Sequence, residues 1–300
     1  MKEWIKKLLP ASLIRRLRAL KQRSRQRSFF GQRLRTIRVG KFEILIPARH
    51  SLVKIQQTQP CRDRCVGISA KYVSAKYPQG TLMDIGANIG DTAAMLASYS
   101  PNKLMLIEAS DYYFGILSRN AARLPNPIVL RQVLISDGQP AVGSLHHWGG
   151  TAFFREEASG NPGTKTERLC RIADENTCFV KIDTDGFDFK IIADSLDWLA
   201  TARPALLFED QIQTRSDLEN ADAVFSKLIK AGYEYFIVWD DPGYHVVSTS
   251  SLDILKDLNR YLFRITQSDG AKSICNYDVL CLHPRDLDVY RDVTEWYRSH

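Results

Sequence analysis

From residue 39 onward the apolar positions switch between two periods. "KFEILIP" (41–47) and "GTLMDIG" (80–86) read as strands, and "RCVGISAKYVSAKYP" (64–78) and "DTAAMLASYS" (91–100) as helices. "KLMLIEAS" (103–110) is a continuous apolar run ending in an acid, and "YYFGILSRNAARL" (112–124) is a helix carrying Tyr113, Ile116 and Leu117. "IVLRQVLISD" (128–137), "CFVKIDTDGFD" (178–188) and "ALLFED" (205–210) supply further strands, with helices at "FKIIADSLDWLA" (189–200) and "ADAVFSKLIKAG" (221–232). "YEYFIVWD" (233–240) and "YDVLCLH" (277–283) close the list of strands. Strands separated by helices at this spacing predict an α/β fold: a mostly parallel sheet covered on both faces, with ligands bound at the carboxyl ends of its strands.

That rule draws attention to "TLMDIGANIGDTAAML" (81–96), a strand, a glycine turn and a helix start. A dinucleotide fingerprint needs Gly-x-Gly-x-x-Gly and a free helix N-terminus for the pyrophosphate. Here Asn88 replaces the middle glycine between Gly86 and Gly90, and Asp91 occupies the first helical turn. A carboxylate there already satisfies the positive end of the helix dipole and repels a phosphate. No Gly-Lys-Ser/Thr follows, which excludes a P-loop. Glu108 ends the next strand, eighteen residues after Gly90. An acid at that place can accept hydrogen bonds from the vicinal hydroxyls of a ribose. A ribose without a pyrophosphate, held near Asp84 and Asp91, describes S-adenosylmethionine, whose ammonium and sulfonium are both cationic.

Composition changes this picture little, but charge distribution adds to it. Three hundred residues, 44% hydrophobic and 25% charged, suffice for one sizeable core. Through Arg38 the chain holds thirteen Lys or Arg against Glu3, a balance of +12 in a total of +7, so the remainder carries −5. The basicity belongs to an arm, 1–38, in which Leu13, Ile14, Leu17 and Leu20 form one helical face and Arg15, Arg16 and Arg18 lie mostly on the other. Such a face suits an anionic membrane surface. Arg15 and Arg16 interrupt the apolar stretch before it reaches the length of a secretory signal, and no run approaches a membrane span, so the expected location is cytoplasmic, with peripheral attachment to the inner face of the membrane through the arm. Six cysteines are too few for a disulfide scaffold, and four of them sit in apolar, strand-like surroundings; Cys61 and Cys65 lack a second pair at zinc spacing, so no metal site is expected. Residues 39–80 lead into a main domain, 81–300.

Taken together, "MDIGANIGDTA", "LIEAS" with "SRNAA", "LISDG", "FVKIDTDGFDFKII" and "RPALLFE" resemble the FkbM family of S-adenosylmethionine-dependent methyltransferases. The resemblance spans about residues 81–209 and, more loosely, "YDVLCLHP". It implies the Rossmann-like class I methyltransferase fold, a seven-stranded sheet with helices on both faces and an antiparallel final strand. It also implies O-methyl transfer to a hydroxyl of a sugar, lipid, polyketide or other secondary metabolite, and adds Ser136 and Asp137 of "LISDG" to the cofactor site; the acceptor expected here is a glycan, glycolipid or related metabolite, small or lipid-linked. Two segments depart from the family pattern. Asp185 and Asp188 stand where it has glutamates, and "TERLCRIADE" replaces a segment usually rich in Leu-Asp-Asp.

Methyl transfer to oxygen requires an acceptor held in line with the methyl group and a base for its proton. Asp183 is the first candidate, with Lys181 on the same strand face as a pairing partner. Asp185 follows at period two, and Asp188 starts a helix, where an acid needs no catalytic duty. His147, in "SLHHWGGTAFF", lies in a segment able to cover the acceptor and is the alternative base, with His146 beside it. Three aspartates so close also permit a divalent cation, though one turn rarely folds all three onto one ion. Trp239 with "DDPGY" reads equally as a sugar-stacking platform and as a hairpin turn. Two other readings stay open: a non-catalytic S-adenosylmethionine-binding scaffold, and an RNA methyltransferase recruited by the arm. The core balance of −5 and the absence of an Asn-Pro-Pro-Tyr motif argue against nucleic acid.

Overall fold

A computed structural model describes residues 33–136, 138–139, 141–148, 150–156, 162–268 and 274–300. The stripe Leu13, Ile14, Leu17 and Leu20 and the site residue Asp137 lie outside them. The chain opens with the antiparallel hairpin β1 (Leu34–Val39) and β2 (Phe42–Pro47), then helices α1 (Leu52–Thr58) and α2 (Arg64–Lys76). Residues 34–38, grouped with the arm by charge, are therefore strand: Leu34 and Ile37 pack on the core while Arg35 and Arg38 stay exposed.

Two βα units and a third strand follow: β3 (Thr81–Ile85), α3 (Asp91–Tyr99), β4 (Lys103–Ile107), α4 (Asp111–Ala121) and β5 (Ile128–Arg131). Short strands come next: β6 (Leu134–Ile135), β7 (Ala141–Trp148), β8 (Thr151–Glu156), β9 (Pro162–Thr164) and β10 (Thr166–Glu167), then the single turn α5 (Leu169–Ile172). The second half holds β11 (Thr177–Ile182), α6 (Asp188–Asp194), α7 (Leu196–Ala202), β12 (Ala205–Gln211), α8 (Arg215–Lys230) and β13 (Tyr235–Asp240). It ends with β14 (His245–Thr249), α9 (Leu252–Thr266), β15 (Asn276–Leu282) and α10 (Leu287–Ser299).

The central sheet has the order β14-β13-β15-β12-β11-β3-β4-β5. Pairing is parallel from β12 through β11, β3 and β4 to β5, whereas β15 runs antiparallel between β12 and β13. The fold is α/β and Rossmann-like, and its antiparallel last strand agrees with expectation. The count of seven does not. An eighth strand, β14, hairpins back onto β13, because the "DDPGY" turn reverses the chain with Gly243 donating to the Asp240 carbonyl at 2.7 Å and Tyr244 N–H to Asp240 Oδ1 at 2.7 Å.

The two-residue period of the strands divides the core into two layers. Leu82, Leu104, Leu106 and Phe179 face one side, with α2, α3 and α4; Met83, Met105, Val180 and Phe208 face the other, with α6 and α8. Covered on both faces, β3 and β11 are buried along their whole length, which is why their sequences read as unbroken apolar runs interrupted only by Asp84 and Lys181. Ser110 caps α4, accepting from Tyr113 N–H, and Thr214 with Asp217 forms a full capping box on α8. Among the described residues no helix is long and apolar enough to cross a membrane. Cys65, Cys178 and Cys281 are buried, whereas Cys170 and Cys275 are exposed.

Candidate functional site

The carboxyl ends of β3, β4 and β11 converge on a cavity of about 370 Å³. The turn after β3 is shaped by positive φ angles at Gly86 (+85°), Asn88 (+46°) and Gly90 (+88°). At Gly86 the requirement is absolute, since a Cβ there would overlap the carbonyl oxygen of Asp183. The glycine thus lets the ends of β3 and β11 pass close together, with Asp183 N–H donating to the Ile85 carbonyl at 3.0 Å.

Glu108 is the anchor of the cavity. It is 6% exposed, and its two oxygens accept separately from the backbone N–H of Asn88 (2.9 Å) and of Ser110 (2.7 Å). These bonds fix the carboxylate between the β3 turn and the start of α4 while each oxygen keeps a further lone pair. Burial pushes its pKa up to about 7, against the opposing pull of the two N–H donors. Beyond it lies an apolar slot of Ile107, Ala109, Val133, Leu134, Ile135 and Leu145.

Lys181 stands opposite Asp84 in the β11–β3 register, and the pairing expected of it is present. Its Nζ is 3.4 Å from Asp84 Oδ1 and 3.1 Å from Asp183 Oδ2. Burial works against the lysine's charge, but Asp183 and Asp84 outweigh it and hold its pKa well above the usual range. One ammonium does not compensate two carboxylates equally: Asp84 is wholly buried, its Oδ2 has no partner, and burial raises its pKa despite Lys181. The surroundings are acidic throughout. Burial pushes Asp63 and Asp91 each up to about 6 and Asp278 up to about 7, and neighbouring carboxylates add to all three shifts. Arg62 lines the same cavity but is ion-paired to Asp241 at 2.5 Å.

Two segments roof the site. Residues 50–63 cross it from the N-terminal side, braced where Gly243 packs against the Cys61 carbonyl, so closely that a Cβ would overlap it. The β7–β8 turn crosses from the other side, with Asn88 Nδ2 donating to the Gly150 carbonyl at 2.9 Å and Thr151 Oγ1 donating to Asp185. Asp185 adopts φ +53° and its pKa is pushed up to about 6 by burial and then by Asp183.

Of the residues expected at a cofactor site, Gly86, Asn88, Asp91 and Glu108 line the cavity. Asp84, Gly90 and Ser136 do not line it: Asp84 pairs with Lys181, which also holds the lining residue Asp183, Gly90 caps α3, and the buried Ser136 donates its N–H to the Glu167 carbonyl at 3.1 Å. Asp183 and Asp185 line the cavity, whereas His147 does not. Its Nε2 shares a hydrogen bond with Ser110 Oγ at 2.7 Å, its ring lies 5.5 Å from that of Tyr113, and it lines a neighbouring cavity of about 700 Å³. The segment expected to be a covering loop is the strand pair β7–β8, which fixes this histidine away from Asp183. Trp239 is fully buried against Tyr297 at 5.3 Å and cannot stack on a sugar; the hairpin turn accounts for its neighbours.

Sequence reasoning missed His50, Asp63 and Glu209, all lining residues. Glu209 carried a signal: it ends the apolar run of β12 as Glu108 ends β4. His50 and Asp63 carried none, since irregular chain places them. Among the described residues no group of three or more His, Cys, Asp or Glu is arranged to hold a metal ion.

No protein-family model matches the chain, and no curated protein matches it. Solved structures with a similar fold include methyltransferase FkbM from Methylobacillus flagellatus KT, at 16% identity and TM-score 0.36, where the match covers 53% of this chain and 40% of that one. TYW2 of M. jannaschii in complex with AdoMet matches at 12% identity and TM-score 0.41 over 84% of this chain and 87% of that one. The plantazolicin methyltransferase BamL, in complex with a triazolic desmethylPZN analog and SAH, matches at 10% identity and TM-score 0.41 over 77% and 89%. The chain thus spans less than half the length of the FkbM protein. Likeness at this level carries no argument about activity, which rests on the cavity itself.

Proposed function

We propose that the protein is an S-adenosylmethionine-dependent methyltransferase acting on a hydroxyl group. The observation that carries this reading is Glu108, a buried carboxylate fixed by two backbone donors at the mouth of an apolar slot, in a cavity whose other charged walls are chiefly acids. That donor set fits a ribose diol with a flat base beyond it and a cationic chain beside Asp63 and Asp91; among the described residues the guanidinium that lines it, Arg62, is ion-paired to Asp241 and not offered to a pyrophosphate. The unpartnered Asp84 Oδ2 and the raised pKa values of Asp63 and Asp91 mark places where a positive charge would be stabilised.

In this reading Gly86, Asn88 and Gly90 shape the turn, Glu108 holds the ribose, and Asp84 acts through Lys181. The cofactor supplies a methyl group whose bond to sulfur breaks as a bond to the acceptor oxygen forms, the sulfur keeping the electron pair. The residues of this chain then have two duties, to orient the hydroxyl and to take its proton. Asp183, held by Lys181 and partly open to the cavity, takes that proton; Asp185, braced by Thr151, orients the acceptor. His147 is left a supporting role behind Ser110. The basic segment ahead of β1 attaches the enzyme to anionic membrane, and the main domain 81–300, with residues 50–63 lining its cavity, performs the chemistry.

Methyl-labelled S-adenosylmethionine incubated with fractionated lipid-linked glycans, small metabolites and RNA tests this function. Label is expected in a hydroxyl-bearing fraction, with Asp183→Asn lowering transfer ~100-fold while cofactor affinity changes little. Label in RNA, or binding without transfer to any fraction, would replace this reading with one of the two alternatives.

A further inference from the structure

Past the end of β12 lies a second chamber of about 480 Å³, which has Asp185 and Glu209 as lining residues in common with the cavity. Its other polar walls are Asp188, Gln211, Gln213 and Asp217, and among the described residues no Lys or Arg lines it. Asp217 is occupied by α8, accepting from the backbone N–H of Gln213 (3.1 Å) and Thr214 (2.8 Å). Asp188 is not fully occupied. Its Oδ2 accepts from Thr184 N–H and Oγ1, but its Oδ1 has no partner although the residue is only 3% exposed. The carboxylates acting most strongly on Glu209 are Asp183, Asp188, Asp278 and Asp185, while Arg62, itself ion-paired to Asp241, also reaches it electrostatically. The nearby cations are engaged elsewhere, Lys181 with Asp84 and Asp183, and Arg62 with Asp241.

We propose that this chamber is the acceptor subsite and that it selects an acceptor carrying an ammonium group beside its hydroxyls, as an amino sugar does. A neutral polyol brings no charge to a chamber lined by Asp185, Asp188, Glu209 and Asp217, whereas an ammonium brings both the opposite charge and three N–H donors. The glutamine amides, each with donors and an acceptor, match the hydroxyls. The volume is that of a small-molecule pocket, far larger than a bare ion needs. The proposal rests on the methyl-transfer reading and specifies its substrate class.

Ligand-observed NMR titration of the full-length protein with glucosamine and with N-acetylglucosamine tests it, because the two share ring hydroxyls and differ in the charge at nitrogen. Glucosamine is expected to bind at least tenfold more tightly, with a preference that weakens in salt. Gln213→Lys places a cation at the exposed rim and should reduce the preference to threefold or less while leaving affinity for S-adenosylhomocysteine unchanged; Glu209→Gln should reduce it as well. Equal affinities, a preference that survives both variants, or tighter binding of magnesium at the same place would overturn the proposal. If the sugar preference stands but S-adenosylhomocysteine does not bind, the methyl-transfer reading fails instead.

Discussion

Replacing Glu108 by alanine removes the side chain on which the cofactor reading depends, and the structure sets the size of the effect. The carboxylate uses one lone pair on each oxygen for Asn88 and Ser110, leaving two directed lone pairs for a diol. A hydrogen bond to a charged group contributes about 1.5–3 kcal/mol. Water can partly replace one of the two, so a total near the value of one bond is the safer figure, which corresponds to an affinity loss of about 10-fold to about 150-fold. Stability should change much less, because two backbone N–H groups lose their acceptor while the cost of a buried charge disappears with it. The assay is calorimetric titration with S-adenosylmethionine at pH 8, where Glu108, with a pKa near 7, is mostly ionised. A second readout follows from that pKa. Between pH 8 and pH 6 the ionised fraction falls by about tenfold, so parental affinity should drop by about that factor, and Glu108→Ala should lose this part of the pH dependence and keep the part due to Asp63 and Asp91, raised to about 6. A folded variant that binds within about twofold of the parent at both pH values would refute the assignment.

Lys181→Met leaves Asp84 and Asp183 without their cation, and with Asp84 fully buried the loss should reach about 3–5 kcal/mol in urea denaturation; a change under about 1 kcal/mol would show the pair to be dispensable. Asp210 is 1% exposed, and burial followed by Asp222 pushes its pKa up to about 8, above its unfolded value, so the folded state favours the neutral acid. Its stabilising contribution is therefore complete at low pH and is lost as pH rises from about 4 through about 8; Asp210→Asn should flatten that part of the stability profile, and an unchanged profile would contradict it. Deletion of residues 1–30 should abolish salt-sensitive co-sedimentation with anionic liposomes while leaving cofactor affinity intact. Equal sedimentation of the full-length and truncated proteins would remove the membrane role.

The parts of the fold legible in sequence were those where one signal dominated. β3, β4, β11 and β12 are buried on both faces, so each is a short, mostly apolar run, and the acids at or just past their ends stand out against it. β14 escaped notice because only Thr249 is buried there and its other residues are partly or fully exposed, leaving no clear alternation. The pairing of β7 with β8 is not legible in "SLHHWGGTAFF", which shows no strict alternation of apolar and polar positions. The candidate site divides in the same way. Glu108, Asp183 and Lys181 follow from strand register and strand ends, whereas the roof formed by His50, Asp63 and Thr151 comes from segments far apart in sequence, which no local period can join. His147 was assigned by chemistry alone; its direction was set by Ser110 and by pairing with Ala152 across the hairpin.

The central claim is that an acidic cavity anchored by Glu108 holds S-adenosylmethionine rather than a pyrophosphate-bearing nucleotide. Equilibrium titration of the full-length protein, without added metal, with S-adenosylmethionine, S-adenosylhomocysteine and NAD tests it most directly. Saturable one-site binding of the first two, and none of NAD, is the predicted result. Binding of NAD with no binding of either sulfur compound would contradict the account.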